Sequence, residues 1–315
     1  MIKSQKGFAL LLVIGITTII LIMIMTISNS ISRKIAVVAE LDNYCRADLK
    51  VYSAFNEMIF ILLTSIYTPT CLQEMVSMGD ASAGSPLKKG PAADNASILF
   101  WNLYGKPINL GPNVQVVLKD TAGMVSPVFP SRILALLLTQ AAPENKNMIL
   151  DGLNDWQDKD NFRRLNGAEN WDYRSAHFSY EPRNSYIQCL SEWRLIKGMN
   201  NVLFQRIKSE LTYWYNSNIN YLTMSPDLLR AVFSGTNGED KLVSQLLTLR
   251  DAHQLTPTIF SALTGIMQGE FNFFSPGAIQ MTITAEVGTA QSTIEAVVSK
   301  RSTPTRPFII KEWRH

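Results

Sequence analysis

A chain of 315 residues with 46% hydrophobic side chains can bury one large or two modest cores. Its formal net charge of +3 is small and dispersed, which excludes a nucleic-acid binder that works by neutralising phosphates with a basic stripe. Three cysteines in so long a chain exclude a disulfide-built scaffold.

The first predicted element is apolar. Lys3 and Lys6 precede a run from Phe8 to Ile27 that holds no charged residue, about the 20 residues that a helix needs to cross a bilayer. The next charges are Arg33 and Lys34. The positive-inside bias places the first residues in the cytoplasm and everything after Ile27 outside it. A secretory signal has an apolar core of only about 7–15 residues and then a small-residue cleavage site. Here the core is longer and no Ala-x-Ala follows, so the helix is expected to stay on the protein as a single-pass anchor. Periodicity continues beyond it. Val37, Val38, Leu41, Tyr44, Leu49, Tyr52, Phe55, Ile59 and Leu62 recur three and four apart, and no proline occurs before Pro69. One helix over 8–66 is predicted, apolar all round in its first half and amphipathic in its second, where it packs on a globular head.

After Pro69 the signal changes. Residues 79–94, rich in Gly, Ser, Ala and Pro, read as an exposed loop. Strands are predicted over 98–104 and 114–118. Helical spacing returns from about 132 to about 263, for example over 133–138, 203–215, 226–233 and 241–249, the third opened by Pro226. Strands over 280–286 and 292–299, joined by a turn around Gly288, and a third over 308–313 close the chain. Strands on both sides of a helical block predict an α+β head with an all-helical domain inserted into it.

Three motifs carry a resemblance. The junction Lys6-Gly7-Phe8-Ala9-Leu10-Leu11 is similar to the cleavage site of type IV prepilins and type II secretion pseudopilins, which a prepilin peptidase cuts after the Gly. Asp155-Trp156-Gln157-Asp158-Lys159-Asp160, followed by Asn166-Gly167-Ala168-Glu169-Asn170 and Tyr173, resembles the acidic Trp-containing stretch of the general secretion pathway protein K family. Leu190-Ser191-Glu192-Trp193-Arg194-Leu195-Ile196-Lys197-Gly198-Met199 is similar to that family's Ser-Glu-Leu-Arg and Gly-Met segment. Lys119-Asp120-Thr121-Ala122-Gly123 and Ile219-Asn220 are further traces. Trp193, where the family usually has an aliphatic residue, is a departure.

The resemblance implies a type IV pilin-like fold, with a leader at 1–7, the long helix at 8–66, the pseudopilin head at 67–130 and 264–315, and the inserted helical domain at 131–263. It implies a minor pseudopilin that seeds or caps the type II secretion pseudopilus, anchored in the inner membrane with its head in the periplasm. Its partners would be the I- and J-type minor pseudopilins, the major pseudopilin and the prepilin peptidase, with no nucleic acid. Most pilins carry a Glu five residues into the mature chain. Counting from Phe8 that position is Leu12, as expected of a subunit with no neighbour above it to supply a pairing amine. A membrane-anchored periplasmic enzyme or binding protein, and a type IV pilus minor pilin, are the alternative readings.

Chemistry-bearing constellations are few. His177, His253 and His315 are widely separated, and the sequence contains no zinc motif, nucleophile elbow or phosphate loop. An enzyme is not expected. Asp155, Asp158, Asp160 and Glu169 offer the hard oxygen ligands that calcium prefers, and the resemblance implies calcium in the head without assigning its ligands. The alternative is a solvated acidic loop paired by Arg163 and Arg164. An oxidising compartment permits a Cys71–Cys189 disulfide; the other reading is three small buried hydrophobes.

Overall fold

The computed structural model describes residues 6–76, 97–214, 219–236, 238–266, 277–303 and 305–315. Helix α1 runs over Lys6–Thr64, a rod about 90 Å long at 1.5 Å per residue. Among the described residues it is the one helix long and apolar enough to cross a membrane. Apolar side chains from Leu10 to Leu41 are exposed, and burial begins only at Ala47.

From there one face of α1 is a core stripe. Val51, Ala54, Phe55, Met58, Ile61 and Leu62 recur three and four apart and pack on the sheets. A small sheet holds β1 (Ile66–Tyr67), β2 (Cys71–Val76) and β3 (Ser97–Asn102) in antiparallel order β1-β2-β3. A larger one holds β4 (Ile108–Gly111), β5 (Val114–Asp120), β6 (Ala278–Val287), β7 (Ala290–Thr303) and β8 (Arg306–Arg314), antiparallel in that order. Alternate residues Val116, Leu118, Met281, Ile283, Ile294, Ala296 and Val298 face α1. The β6–β7 hairpin turns on two residues, with Val287 paired to Ala290. Gly288 lies there at φ 59, and a Cβ on it would sit 2.8 Å from Asn43 Nδ2 of α1.

Between β5 and β6 the chain leaves the sheet and builds a helical unit. It comprises α2 (Arg132–Ala141), α3 (Lys146–Gln157), α4 (Asn170–Ser175), α5 (Asn201–Ile207), α6 (Pro226–Phe233), α7 (Glu239–Asp251) and α8 (Pro257–Thr264). Ser131, Ser225 and Thr256 cap α2, α6 and α8 by accepting from the backbone N–H three residues on. The unit has its own core, with Leu134, Leu138, Ile149, Leu153, Trp156, Tyr173, Trp193, Phe204, Leu228 and Phe260 at its centre.

The helical unit is tied to the sheet at the end of β5. Buried Asp120 accepts from Ala122 N at 2.9 Å and from Asn220 Nδ2 at 3.0 Å, and Asn220 Nδ2 also donates to Pro69 O at 2.8 Å. Across from this tie, buried Arg250 of α7 lies 4.0 Å from the centre of the Tyr104 ring.

The fold is the expected α+β arrangement of long helix, antiparallel sheet and helical insertion. Its elements differ in detail from the expectations. The helix predicted over 203–215 stops at Ile207 and a 3₁₀ turn at Lys208–Glu210, because Leu211 bridges in parallel to Val125 and Thr212 N donates to Val125 O. Tyr215 and the loop predicted over 79–94 lie outside the described residues. Strands β1, β2 and β4 have no counterpart in the pattern reading, and helices α3, α4 and α8 lie in the block expected to be helical without being marked individually.

The Cys71–Cys189 pairing is corrected by the structure. Cys71 is a buried thiol at 3.0 Å from Thr68 Oγ1 in β2, and burial pushes it above the ordinary thiol range. Cys189 is exposed in the helical unit beside Ser191 Oγ, and Cys45 is an exposed free thiol on α1. Only Cys71 behaves as a buried hydrophobe.

Candidate cation site in the helical unit

Helix α3 ends at Gln157, and the backbone N–H of Asp158 closes it on Asn154 O at 2.9 Å. That termination places Asp155 on the last turn, facing inward, and Asp158 just beyond it. The loop from 158 to 169 then folds back over the helix end through a series of short-range bonds. Asp160 Oδ1 accepts from Phe162 N at 2.8 Å, Asp155 accepts from Arg164 N at 3.1 Å, and Asp151 Oδ2 accepts from Asn166 N at 3.1 Å. Gly167 rests against Asp155: a Cβ on it would be inside contact distance of Oδ2 and 2.7 Å from Cγ. Glu169 then enters as the residue before α4, with Asp172 Oδ2 accepting from its N–H at 3.0 Å.

The result is a convergence of three carboxylates. One oxygen from each of Asp155, Asp158 and Glu169 lies within 4.8 Å of the others. Asp155 is fully buried and Glu169 is 4% exposed. Arg164 donates from Nη1 to Asp155 Oδ1 at 2.7 Å and also to Asp158 Oδ2. Among the described residues, Asp158 Oδ1 and both oxygens of Glu169 lack a well-formed hydrogen bond, and the Glu169 carboxylate faces the backbone N–H groups of Asn170 and Asp172 at the start of α4. Burial, joined by the charges of Asp155, Asp158 and Asp160, pushes the Glu169 carboxyl up to about 7. Burial also raises Asp155, against the lowering effect of Arg164.

Unpartnered buried carboxylate oxygens are costly, and buried charges are normally paired or coordinate a metal. Oxygen donors only, clustered and partly orphaned, fit a hard cation such as calcium. Of the four residues expected to hold one, the structure brings together Asp155, Asp158 and Glu169. Asp160 is not among them: it is exposed and occupied by the Phe162 N–H. Both arginines named in the alternative reading are engaged, Arg163 with Asp172 at 2.9 Å and Arg164 with the cluster. The site is therefore an arginine-buttressed carboxylate cluster, and neither reading of the sequence alone describes it.

The remaining singled-out residues serve structure. Glu192 accepts from Trp156 Nε1 at 2.9 Å, from Arg183 Nε at 2.6 Å and from Gln188 N at 2.9 Å. The two resembling segments, 155–173 and 190–199, thus meet in one core around Trp156, Tyr173 and Trp193. His253 stacks on Phe100 at 4.2 Å, and His177 adopts a left-handed backbone at φ 60.

A relation that spacing could not reveal is that of Asp48, Ser292 and His315. His315 Nε2 faces both Asp48 Oδ1 at 2.7 Å and Ser292 Oγ at 3.3 Å. Proton relay through an imidazole uses its two different nitrogens, whereas here one nitrogen meets both partners. The trio is a clasp. Gly7 and Phe8 fall in the first turn of α1, and Leu12 is half exposed on that helix.

Comparison with known proteins agrees with this architecture. Residues 113–214 match the family model described as type II secretion system (T2SS), protein K. The type II secretion system protein K of Klebsiella pneumoniae is 32% identical over 164 residues, which are 50% of this chain and 46% of that protein. That of Pectobacterium carotovorum subsp. carotovorum is 30% identical over 117 residues, 35% of this chain and 36% of that protein. The chain thus matches less than half the length of these curated relatives. Among solved structures, a chain in the crystal structure of the GspK-GspI-GspJ complex from the enterotoxigenic Escherichia coli type 2 secretion system superposes with a TM-score of 0.50 at 16% identity. It covers 88% of this chain and 98% of that one.

The class is that of a membrane-anchored pilin-like protein with a helical insertion. Within that class, residues 113–214 are similar to the type II secretion system protein K family.

Proposed function

We propose that this protein is a non-enzymatic minor pseudopilin at the tip of the type II secretion pseudopilus, where it seeds or caps the filament that exports folded proteins across the outer membrane. The observation that carries this reading is the helical unit between β5 and β6, which has a core of its own and enlarges the head on top of the rod. Pilin-like rods pack side by side with a small axial step, and a head of this bulk would clash if repeated along a fibre. Leu12 supports the same position, since a terminal subunit has no neighbour whose amine could neutralise a Glu there.

Lys3 and Lys6 support an N-terminus in the cytoplasm and a head in the periplasm, with the inner membrane crossed once. The Gly7–Phe8 junction supports processing by a prepilin peptidase. The solved GspK-GspI-GspJ complex supports I- and J-type minor pseudopilins as partners, alongside the major pseudopilin. Asp155, Asp158 and Glu169 would hold calcium, and a bound ion would supply positive charge to Asp158 Oδ1 and the Glu169 carboxylate. The chain's own part is to fold the 158–169 loop over the end of α3, which fixes the surface formed by that loop and α4.

Deletion of the gene tests the reading: folded exoproteins are expected to accumulate in the periplasm. Loss of surface pili instead would favour a type IV pilus minor pilin. Mass spectrometry is expected to find the native chain starting at Phe8, and a chain starting at Met1 would favour an uncleaved membrane-anchored enzyme or binding protein.

A further inference from the structure

Arg164 divides the oxygens of the carboxylate cluster into two sets. Its guanidinium holds Asp155 Oδ1 and Asp158 Oδ2, and its own N–H holds Asp155 Oδ2 at 3.1 Å. The oxygens it leaves free are Asp158 Oδ1 and both of Glu169. Glu169 is almost wholly buried, and one oxygen from each of Asp155, Asp158 and Glu169 lies within 4.8 Å of the others. With its carboxyls ionised, the cluster carries three negative charges, which the guanidinium reduces to two. One divalent cation neutralises that remainder.

We propose that Arg164 is a positioning residue of the cation site, which fixes Asp155 and turns the free oxygen of Asp158 toward the ion beside Glu169, and sets the site's charge to match a divalent cation. The arginine does not stand in the ion's place. It holds both oxygens of Asp155 and one of Asp158, as outer partners commonly orient metal-binding carboxylates. One nitrogen, Nη1, bridges the two carboxylates, with N–H directions fixed in the guanidinium plane that the rotating ammonium of a lysine does not preset. This inference rests on the cation reading above, and the experiment separates the two.

The full chain in detergent is titrated with Ca2+ by calorimetry and with Tb3+ by luminescence sensitised through Trp156, as wild type, Arg164→Gln and Arg164→Lys. Arg164→Gln is expected to bind Ca2+ 10–100-fold more weakly, the range typical for loss of an outer-shell partner. It is also expected to raise the ratio of Tb3+ to Ca2+ affinity severalfold, because a cluster with one more negative charge favours a trivalent ion. Arg164→Lys, which keeps the charge, is expected to bind Ca2+ more weakly with the ratio unchanged. Should the Gln variant not fold, the Lys variant decides, and full Ca2+ affinity or a raised ratio in it overturns the proposal. So does a Gln variant that binds Ca2+ as tightly as wild type or more tightly, or that loses both ions alike. Binding by wild type in those cases leaves the cation reading standing, whereas a wild type that takes up neither ion removes both.

Discussion

Asp48 on α1 and His315 beyond β8 are 267 residues apart in the chain and meet at 2.7 Å, His315 Nε2 to Asp48 Oδ1. Ser292 Oγ of β7 donates to the same carboxylate oxygen at 2.6 Å, and Trp313 and His315 both lie against Tyr52 of α1. The rod, the hairpin strand and the edge strand are therefore joined at one carboxylate.

The first prediction concerns this clasp and acid. The Ser292 hydrogen bond holds the Asp48 carboxyl below its ordinary value, with His315 acting in the same direction against the opposing effect of burial. A carboxylate whose folded value is depressed stabilises the protein above its unfolded value, about pH 4, and that contribution is lost as pH falls through the folded value. Asp48→Asn is expected to cost about 1 kcal/mol at pH 7. Urea unfolding of wild type and variant at a series of pH values checks this, and the two stabilities should converge below pH 4.

The second prediction concerns the tie at the end of β5. A Cβ on Gly123 would lie 2.5 Å from Thr223 Oγ1 and 2.8 Å from its carbonyl carbon, and backbone cannot swing aside as a long side chain does. Gly123→Ala is expected to destabilise by about 1–3 kcal/mol. Asn220→Ala, which leaves Asp120 Oδ2 and Pro69 O without their amide donor, should cost a similar amount, about 1–3 kcal/mol. Thermal unfolding of the two variants is the measurement.

A third concerns Glu192, the buried acceptor shared by Trp156, Arg183 and Gln188. Glu192→Ala strands an indole N–H and a backbone N–H in the core and removes the partner of Arg183. A loss of about 2–4 kcal/mol is expected, within the range for a broken buried charge network. Near-UV circular dichroism of Trp156 and Trp193 should change with it.

The fourth links packing to the cation site. Gly167→Ala would drive a methyl group into the carboxylate of Asp155. The expected outcome is a Ca2+ affinity at least tenfold weaker, on the scale of other disturbed metal-site supports, with the secondary structure retained. Unchanged uptake by calorimetry would show that Asp155 does not face the ion.

Much of the architecture was legible because its signals are local. The stripe from Val51 to Leu62 repeats at helical spacing, and the strand pair 280–286 and 292–299 alternates around a Gly that must adopt a positive φ. Strand β2 was not legible. Its six residues, Cys71 to Val76, carry no clean alternation and are held by pairing with β3, whose partners lie some 26 residues on. The end of α5 was hidden for the same reason, since the apolar spacing runs past Ile207 while the bridge from Leu211 to Val125 ends the helix.

In the cation site, residue type was visible and membership was not. Asp155, Asp158, Asp160 and Glu169 look alike along the chain, yet the fold turns Asp160 out to cap Phe162 and buries Glu169 beside Asp155 and Asp158. The two cysteines give the same lesson, since compartment and count permitted a bond that their positions on separate units do not make.

What the amino-acid order determined by itself was everything that depends on near neighbours: the uncharged anchor, the helical rod, the hairpin strands and the acidic stretch before Glu169. Tertiary structure alone decided which carboxylates converge, that Arg164 rather than Arg163 buttresses them, and that Asp48 closes on His315. The physical reason is range. Backbone conformation responds to side chains within a few residues, whereas burial, charge pairing and orphaned oxygens arise only when distant segments are packed together and water is excluded.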